Sequence, residues 1–437
     1  MKYTLLSIAA LISIMTLVFG ANLLAASPDT IKAVTSGDTS TLSASPDSAG
    51  AAGNFVYPMP TERKALLIAY SKFNNWWRFI DFFKDVIIFA IIIFTGLSAR
   101  FRNWAEQIAK KKIFTILFYF LFLLALLYIL DFPFDYYRNF VIEHRYGFSN
   151  QTFGGWFGET LKSTLVSFIF VVPILWILYW LINRSKKWWI YFGIGAVPFM
   201  IFIILIYPVV VAPWFNKFVP VKDKNVATEM TALAEKAGIH NPDIFEVDAS
   251  KQSNKINAYF TGLFGTKRIV LYDTTIKNFT IPQLKFIMGH EIGHYVMNHI
   301  WYGLLVALIM IFIFGYLADK LLSKYIAGCS RRLGFSSLGD IASLPLLMLF
   351  GTIVGFIVQP INNGLSRHFE YQADKYGLEI SGVTGDEAAV TFDKLSVFNL
   401  SDPESPALIE FWFYDHPALQ KRMDNARQLY AEMHPGT

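Results

Sequence analysis

Ionisable side chains are scarce in this sequence. Asp, Glu, Lys and Arg make up 16% of the 437 residues, where an ordinary soluble domain carries about 25%. With 54% hydrophobic and 17% aromatic residues, that shortage excludes a simple soluble globule and requires membrane-spanning segments. Cysteine is scarcer still. The single Cys329 excludes an intramolecular disulfide and any cysteine-built metal site. The formal charge of +5 is modest, and the Lys and Arg residues gather at the ends of apolar runs, where they mark topology and not a nucleic-acid surface. No nucleic-acid partner is expected. Histidine numbers only eight, so its concentration between 290 and 299 stands out.

That concentration is His290-Glu291-Ile292-Gly293-His294, with His299 five residues on. Residues i and i+4 share a helix face, so His290 and His294 can hold one metal ion. Glu291 beside them is placed to take a proton from a water that the metal activates. One Zn2+ fits best: two imidazoles and one further protein ligand leave a position open for water, whose pKa falls to about 7. The third ligand has to come from elsewhere, and the best source is Ser366 to Asp374 (SRHFEYQAD), with Glu370 and Asp374 at i and i+4. Glu370 would bind the metal, and Asp374 would accept the second N–H of a ligating imidazole and fix its tautomer. Arg367 is expected beside that carboxylate. His368 is an alternative ligand, but it points to another face of the helix.

Taken in order, residues 1–26 combine Lys2, an apolar core and the small residues Ala25, Ala26 and Ser27. They read as a cleaved signal peptide or a first anchor helix, and the residues leave both open. Residues 27–60, rich in Ser, Ala, Thr, Gly and Pro, read as a disordered linker. Transmembrane helices are expected over 61–212 and 300–362, from apolar runs at 84–99, 113–130, 161–182, 188–212, 300–322 and 341–359, each near the ~20 residues that cross a bilayer. These runs contain almost no ionisable residues, which argues against a metal transporter. Between them, 213–299 reads as a soluble segment. A helix is expected at Val226 to Ala237, with short strands at 243–247, 257–261 and 268–272. Thr280-Ile281-Pro282-Gln283 reads as a capped helix start, and that helix, bearing the His pair, can run on into the 300–322 span. Residues 363–437 form a C-terminal helical part that completes the zinc site. Basic gaps at 100–112, 184–187 and 320–332 fall on one face when spans alternate. That face is expected to be cytoplasmic, leaving the His pair on the extracytoplasmic face of a bacterial-type inner membrane.

HEIGHYVMNH, followed by a span pair and then SRHFEYQAD, resembles the signature of integral-membrane zinc peptidases of the CAAX prenyl protease type 1 family. NAYFTGLFGTKRIVLYDT from Asn257, FVIEHRYGFSNQT from Phe140 and DHPALQKR from Asp415 are similar to further family segments, in the same order. The resemblance spans about residues 65–430, with Asp415 standing where the family often has Ser. It implies an all-α membrane protein of six or seven transmembrane helices, forming a helical barrel around an intramembrane chamber, with a small α+β zinc metalloprotease domain. It implies zinc ligands His290, His294 and Glu370 and general base Glu291. His416 would face the metal and stabilise the oxyanion, while Asp374 and His299 support ligands and Arg422 fixes the C-terminal tail by pairing with an acid. Asn257 and Ala258 resemble an edge strand that aligns the substrate backbone. The expected partners are membrane lipid and a polypeptide substrate, either lipidated or a misfolded membrane protein. The rival is a catalytically degenerate zinc-binding receptor or scaffold.

Overall fold

The structure, a computed structural model, describes residues 61–263 and 267–435. The leader or anchor at 1–26 and the linker at 27–60 lie outside the described residues. The described residues begin with a 34-residue helix, α1 (Thr61–Phe94). The run expected at 84–99 is not a separate helix. Its first part is the end of α1, and Gly96, at φ 70, turns the chain into α2 (Leu97–Ile108). The left-handed φ at this turn is one that glycine adopts without steric cost. Then come α3 (Lys112–Asp135), α4 (Phe153–Arg184) and α5 (Trp188–Ile206), with α3 and α5 each passing into a π-helical turn, Tyr136–Ile142 and Tyr207–Val211. Among the described residues, five segments are long and apolar enough to cross a membrane: Lys112–Arg145, Phe153–Arg184, Trp188–Trp214, His299–Leu333 and Ile341–Ser381.

α1 is not among them, because Arg78, Asp81, Lys84 and Asp85 interrupt its apolar stretch. The bundle packs the last three of these charges in ion pairs. Lys84 Nζ lies 2.8 Å from Asp131 of α3, 3.3 Å from Asp85 and 3.9 Å from Asp81, and Arg138 donates to Asp81 at 3.2 Å. The apolar runs were expected to hold almost no ionisable residues, and these charges do not overturn that. They sit at the edges of the apolar runs, and packing brings them together.

The soluble part is a four-stranded sheet with helices against it. β1 (Phe218–Pro220), β2 (Asp243–Val247), β3 (Ala258–Thr261) and β4 (Arg268–Tyr272) lie in the order β1-β2-β4-β3, only β2 and β4 being parallel. β3 is an edge strand. α6 (Lys224–Lys236) and α7 (Asp273–Asn278) flank the sheet. α8 (Ile281–Val296) starts at the expected Thr280 cap, with Gln283 closing a capping box. α8 does not run on into the next span. Asn298, at φ 61, breaks the chain before α9 (His299–Leu333), a left-handed conformation that Asn tolerates better than most residues. α10 (Leu344–Ser381) returns through the bundle, and α11 (Gly385–Asn399), α12 (Ala407–Phe413) and α13 (Leu419–Met433) complete the chain.

The basic gaps share one end of the bundle. There Arg102 pairs with Asp340 and donates to the Gly334 carbonyl, Asn183 donates to Gly339 at 2.8 Å, and Trp188 donates to Asp319 at 3.0 Å. The His-bearing helix and the sheet lie at the other end.

Candidate metal centre

Close packing of α8 and α10 builds the site. Gly289 and Gly293, one turn apart on α8, face Ala373 and Gly377 on α10. A Cβ on Gly377 would lie 3.0 Å from the backbone N of His290, and one on Gly293 would lie 3.2 Å from the Cα of Ala373. Small residues four apart on both helices let the backbones approach. The approach brings Glu370 of α10 against the His pair of α8. Glu370 Oε2 is 3.3 Å from His290 Nε2, Oε1 is 3.3 Å from His294 Nε2, and the two Nε2 atoms are 3.1 Å apart. The three residues can present one ligand atom each within 4.8 Å of one another. Glu370 is 4% exposed, and its Oε2 has no hydrogen-bond donor among the described residues. Two imidazole nitrogens and an orphaned carboxylate oxygen converging in a buried place fit a tetrahedral divalent metal with one position left open. His368 is exposed and turned away from the cluster.

A surrounding layer of side chains fixes these three residues. Asp374, fully buried, lies 2.8 Å from His290 Nδ1. Arg422 of α13 holds Asp374 through two bonds of 2.9 and 2.6 Å and also lies 3.3 Å from Glu370. The break at Asn298 returns His299 to His294, the two Nδ1 atoms being 2.9 Å apart. His299 Nε2 meets Gln372 Oε1 at 3.0 Å, and Phe369 stacks on its ring. Gln372 had no signal in the sequence, because its role depends on the turn at Asn298. Burial opposes protonation of His290, but the Glu370 and Asp374 carboxylates outweigh it and hold the pKa up to about 9.

His416 approaches from the C-terminal tail, with Nε2 3.3 Å from Glu370 Oε1 and Nδ1 2.9 Å from Asp415. Desolvation opposes its protonation too, but Glu370 and Asp415 push it up to about 10. Glu291, half-buried beside His290, makes no hydrogen bond or ion pair among the described residues. Arg367 is not beside the Glu370 carboxylate as expected. Its guanidinium reaches away to the carbonyls of Glu410 and Tyr414, at 2.9 and 2.6 Å, because those acceptors at the end of a short helix lie within its reach.

The edge strand runs beside α8, where Phe260 and Tyr295 rings meet at 4.8 Å. Asn257 and Ala258 differ in what they offer. The Asn257 main chain is satisfied internally: its N–H donates to Thr275, and its carbonyl accepts from Tyr272 and Thr275. Its amide Nδ2 is buried without an acceptor among the described residues. With Asn257 bonded to Tyr272 and Ala258 opposite Leu271, the alternation of an antiparallel ladder turns the N–H and C=O of Ala258 and Phe260 to the open edge. The Phe140 segment braces this region: Glu143 accepts from Tyr70 at 2.7 Å and pairs with Lys255 at 2.8 Å, and Asn150 donates to Ser250.

Comparison with known proteins agrees with this geometry along most of the chain. Residues 220–430 match the model of peptidase family M48, and residues 63–217 match that of the CAAX prenyl protease N-terminal region, described as five membrane helices. The chain is 35% identical to the uncharacterized metalloprotease YhfN of Bacillus subtilis over 85% of this chain and 87% of that one. It is 32% identical to a CAAX prenyl protease 1 homolog of Dictyostelium discoideum, over 82% and 84% respectively. The crystal structure of S. mikatae Ste24p superposes with a TM-score of 0.75 at 24% identity, covering 96% of this chain and 98% of that one.

Proposed function

This chain belongs to peptidase family M48 and its CAAX prenyl protease branch, and from that premise we propose how its residues divide the work. It is a multi-pass membrane metalloprotease. The metal is one Zn2+, held by His290, His294 and Glu370. The observation that carries the assignment is the approach of α10 to α8, which sets Glu370 3.3 Å from both imidazoles. When bound, zinc supplies an acidified water and a Lewis acid for the scissile carbonyl.

Glu291 takes the proton of the attacking water and passes it to the leaving amine. His416 donates from Nε2 to the developing oxyanion. Asp374, itself clamped by Arg422, holds the His290 tautomer, and His299 does the same for His294. The Ala258 main chain pairs with an extended substrate, and the Asn257 amide donates to it. Membrane-associated or lipidated polypeptides are the substrates, the prenylated C-termini implied by the relatives' names being one class. The basic end of the bundle faces the cytoplasm and the metal end faces outward.

The test uses the full chain in detergent micelles and one internally quenched peptide in farnesylated and unmodified forms. Glu291→Gln should keep its zinc and lose about 1,000-fold in kcat. A wild type that binds zinc and cleaves neither peptide would favour a receptor role. Equal cleavage of both forms would remove the lipid from the reading and leave the hydrolase intact.

A further inference from the structure

α12 is only seven residues long, yet the carbonyls at its end are met by side chains from other helices. Arg367 donates to Glu410 and Tyr414, Asn363 donates to Trp412 at 2.7 Å, and Arg78 of α1 donates to Phe413 at 3.2 Å. The Tyr414 hydroxyl adds a bond to Asn75 of α1 at 3.1 Å. Beyond the helix, the buried Glu410 carboxylate accepts from the Ala418 N–H and from Lys421, so the loop carrying His416 is tied at both ends.

Two of these donors share a helix with a metal ligand. Asn363, Arg367, Glu370 and Asp374 follow at steps of four, three and four, which places them on one face of α10. The upper pair on that face holds the His416 segment, and the lower pair holds the His290 side of the metal centre. We propose that Asn363 and Arg367 are positioning residues that set His416 in register with Glu370. α10 then acts as a common ruler for a ligand and for the oxyanion donor, which arrive from segments more than forty residues apart. This rests on the role assigned to His416 above. Capping a short helix alone would stabilise the fold but would have no preference for the state of His416.

A double-mutant cycle separates the two roles. In the detergent-solubilised full chain, Arg367→Met should retain zinc and leave KM unchanged while lowering kcat about 100-fold, as expected when a reacting group is displaced by about 1 Å. In a His416→Ala background the same substitution should cost nothing further. Arg367→Lys should recover part of the rate, since one nitrogen, Nη1, makes both bonds and an ammonium has the donors for them, but on a shorter stem. Asn363→Ala, which removes one bond, should show a smaller loss with the same dependence on His416, and it decides the matter if Arg367→Met fails to fold. Losses that multiply in the His416→Ala background overturn the ruler while leaving His416 in its role. His416→Ala with wild-type kcat overturns both.

Discussion

With His290 as a proposed ligand, proton and metal compete for the same imidazole. Its pKa in the metal-free site is held at about 9, and a ligating imidazole must be neutral, so zinc uptake at neutral pH should release about one proton from it. Titration calorimetry in buffers of different ionisation enthalpy measures that number, and uptake without proton release would contradict the assignment of His290. The same shift sets a stability window. A histidine raised above its unfolded value of about 6.5 stabilises the metal-free fold fully below that pH. The contribution is lost as pH rises through about 9, so the chelated protein should melt lower at alkaline pH than near neutrality. Asp374 acts at the same scale. Asp374→Asn removes the charge that orients His290 and pairs with Arg422, and it should weaken zinc binding by about 10–100-fold in competition with a chelator.

Helix contacts decide whether these residues meet at all. Gly377→Ala places a methyl 3.0 Å from the His290 backbone nitrogen and 3.2 Å from the Phe286 carbonyl. Neither atom can retreat without shifting α8, so the variant should lose about 1–3 kcal/mol of stability and much of its zinc, read by thermal melting and metal analysis. The His pair, Glu291 and the carboxylates of α10 were legible in the sequence because i, i+4 spacing is a property of one helix. β2, β3, β4 and the start of α8 were legible from short β-like runs and a capping box. The Gly289–Gly293 contact with Ala373–Gly377 was not, since nothing in a single sequence pairs segments some eighty residues apart. β1 is too short, at three residues ending in Pro220, to leave a pattern. The break at Asn298 was missed because the apolar pattern continues across it. The placement of Arg367 was missed because its partners are backbone atoms of a remote helix.

For the molecule as a whole, buried charge and membrane placement set the terms. Lys84 is surrounded by Asp81, Asp85 and Asp131, so Lys84→Met leaves carboxylates without their cation and should cost about 3–5 kcal/mol, measurable as a fall in thermal midpoint that Asp131→Asn partly restores. Orientation is open to a direct measurement: external protease should reach Val221–Thr275 in intact spheroplasts, and full protection would place the metal end inside. α10 carries one further consequence. It extends 38 residues from the basic end to Ser381, with Glu370, the proposed third metal ligand, near its far end and Asp340 anchoring its approach. Bilayers thinner or thicker than its apolar length tilt or strain such a helix. Turnover should therefore pass through an optimum as the acyl chains of reconstituted vesicles are lengthened, making the enzyme a gauge of the thickness of the membrane it occupies.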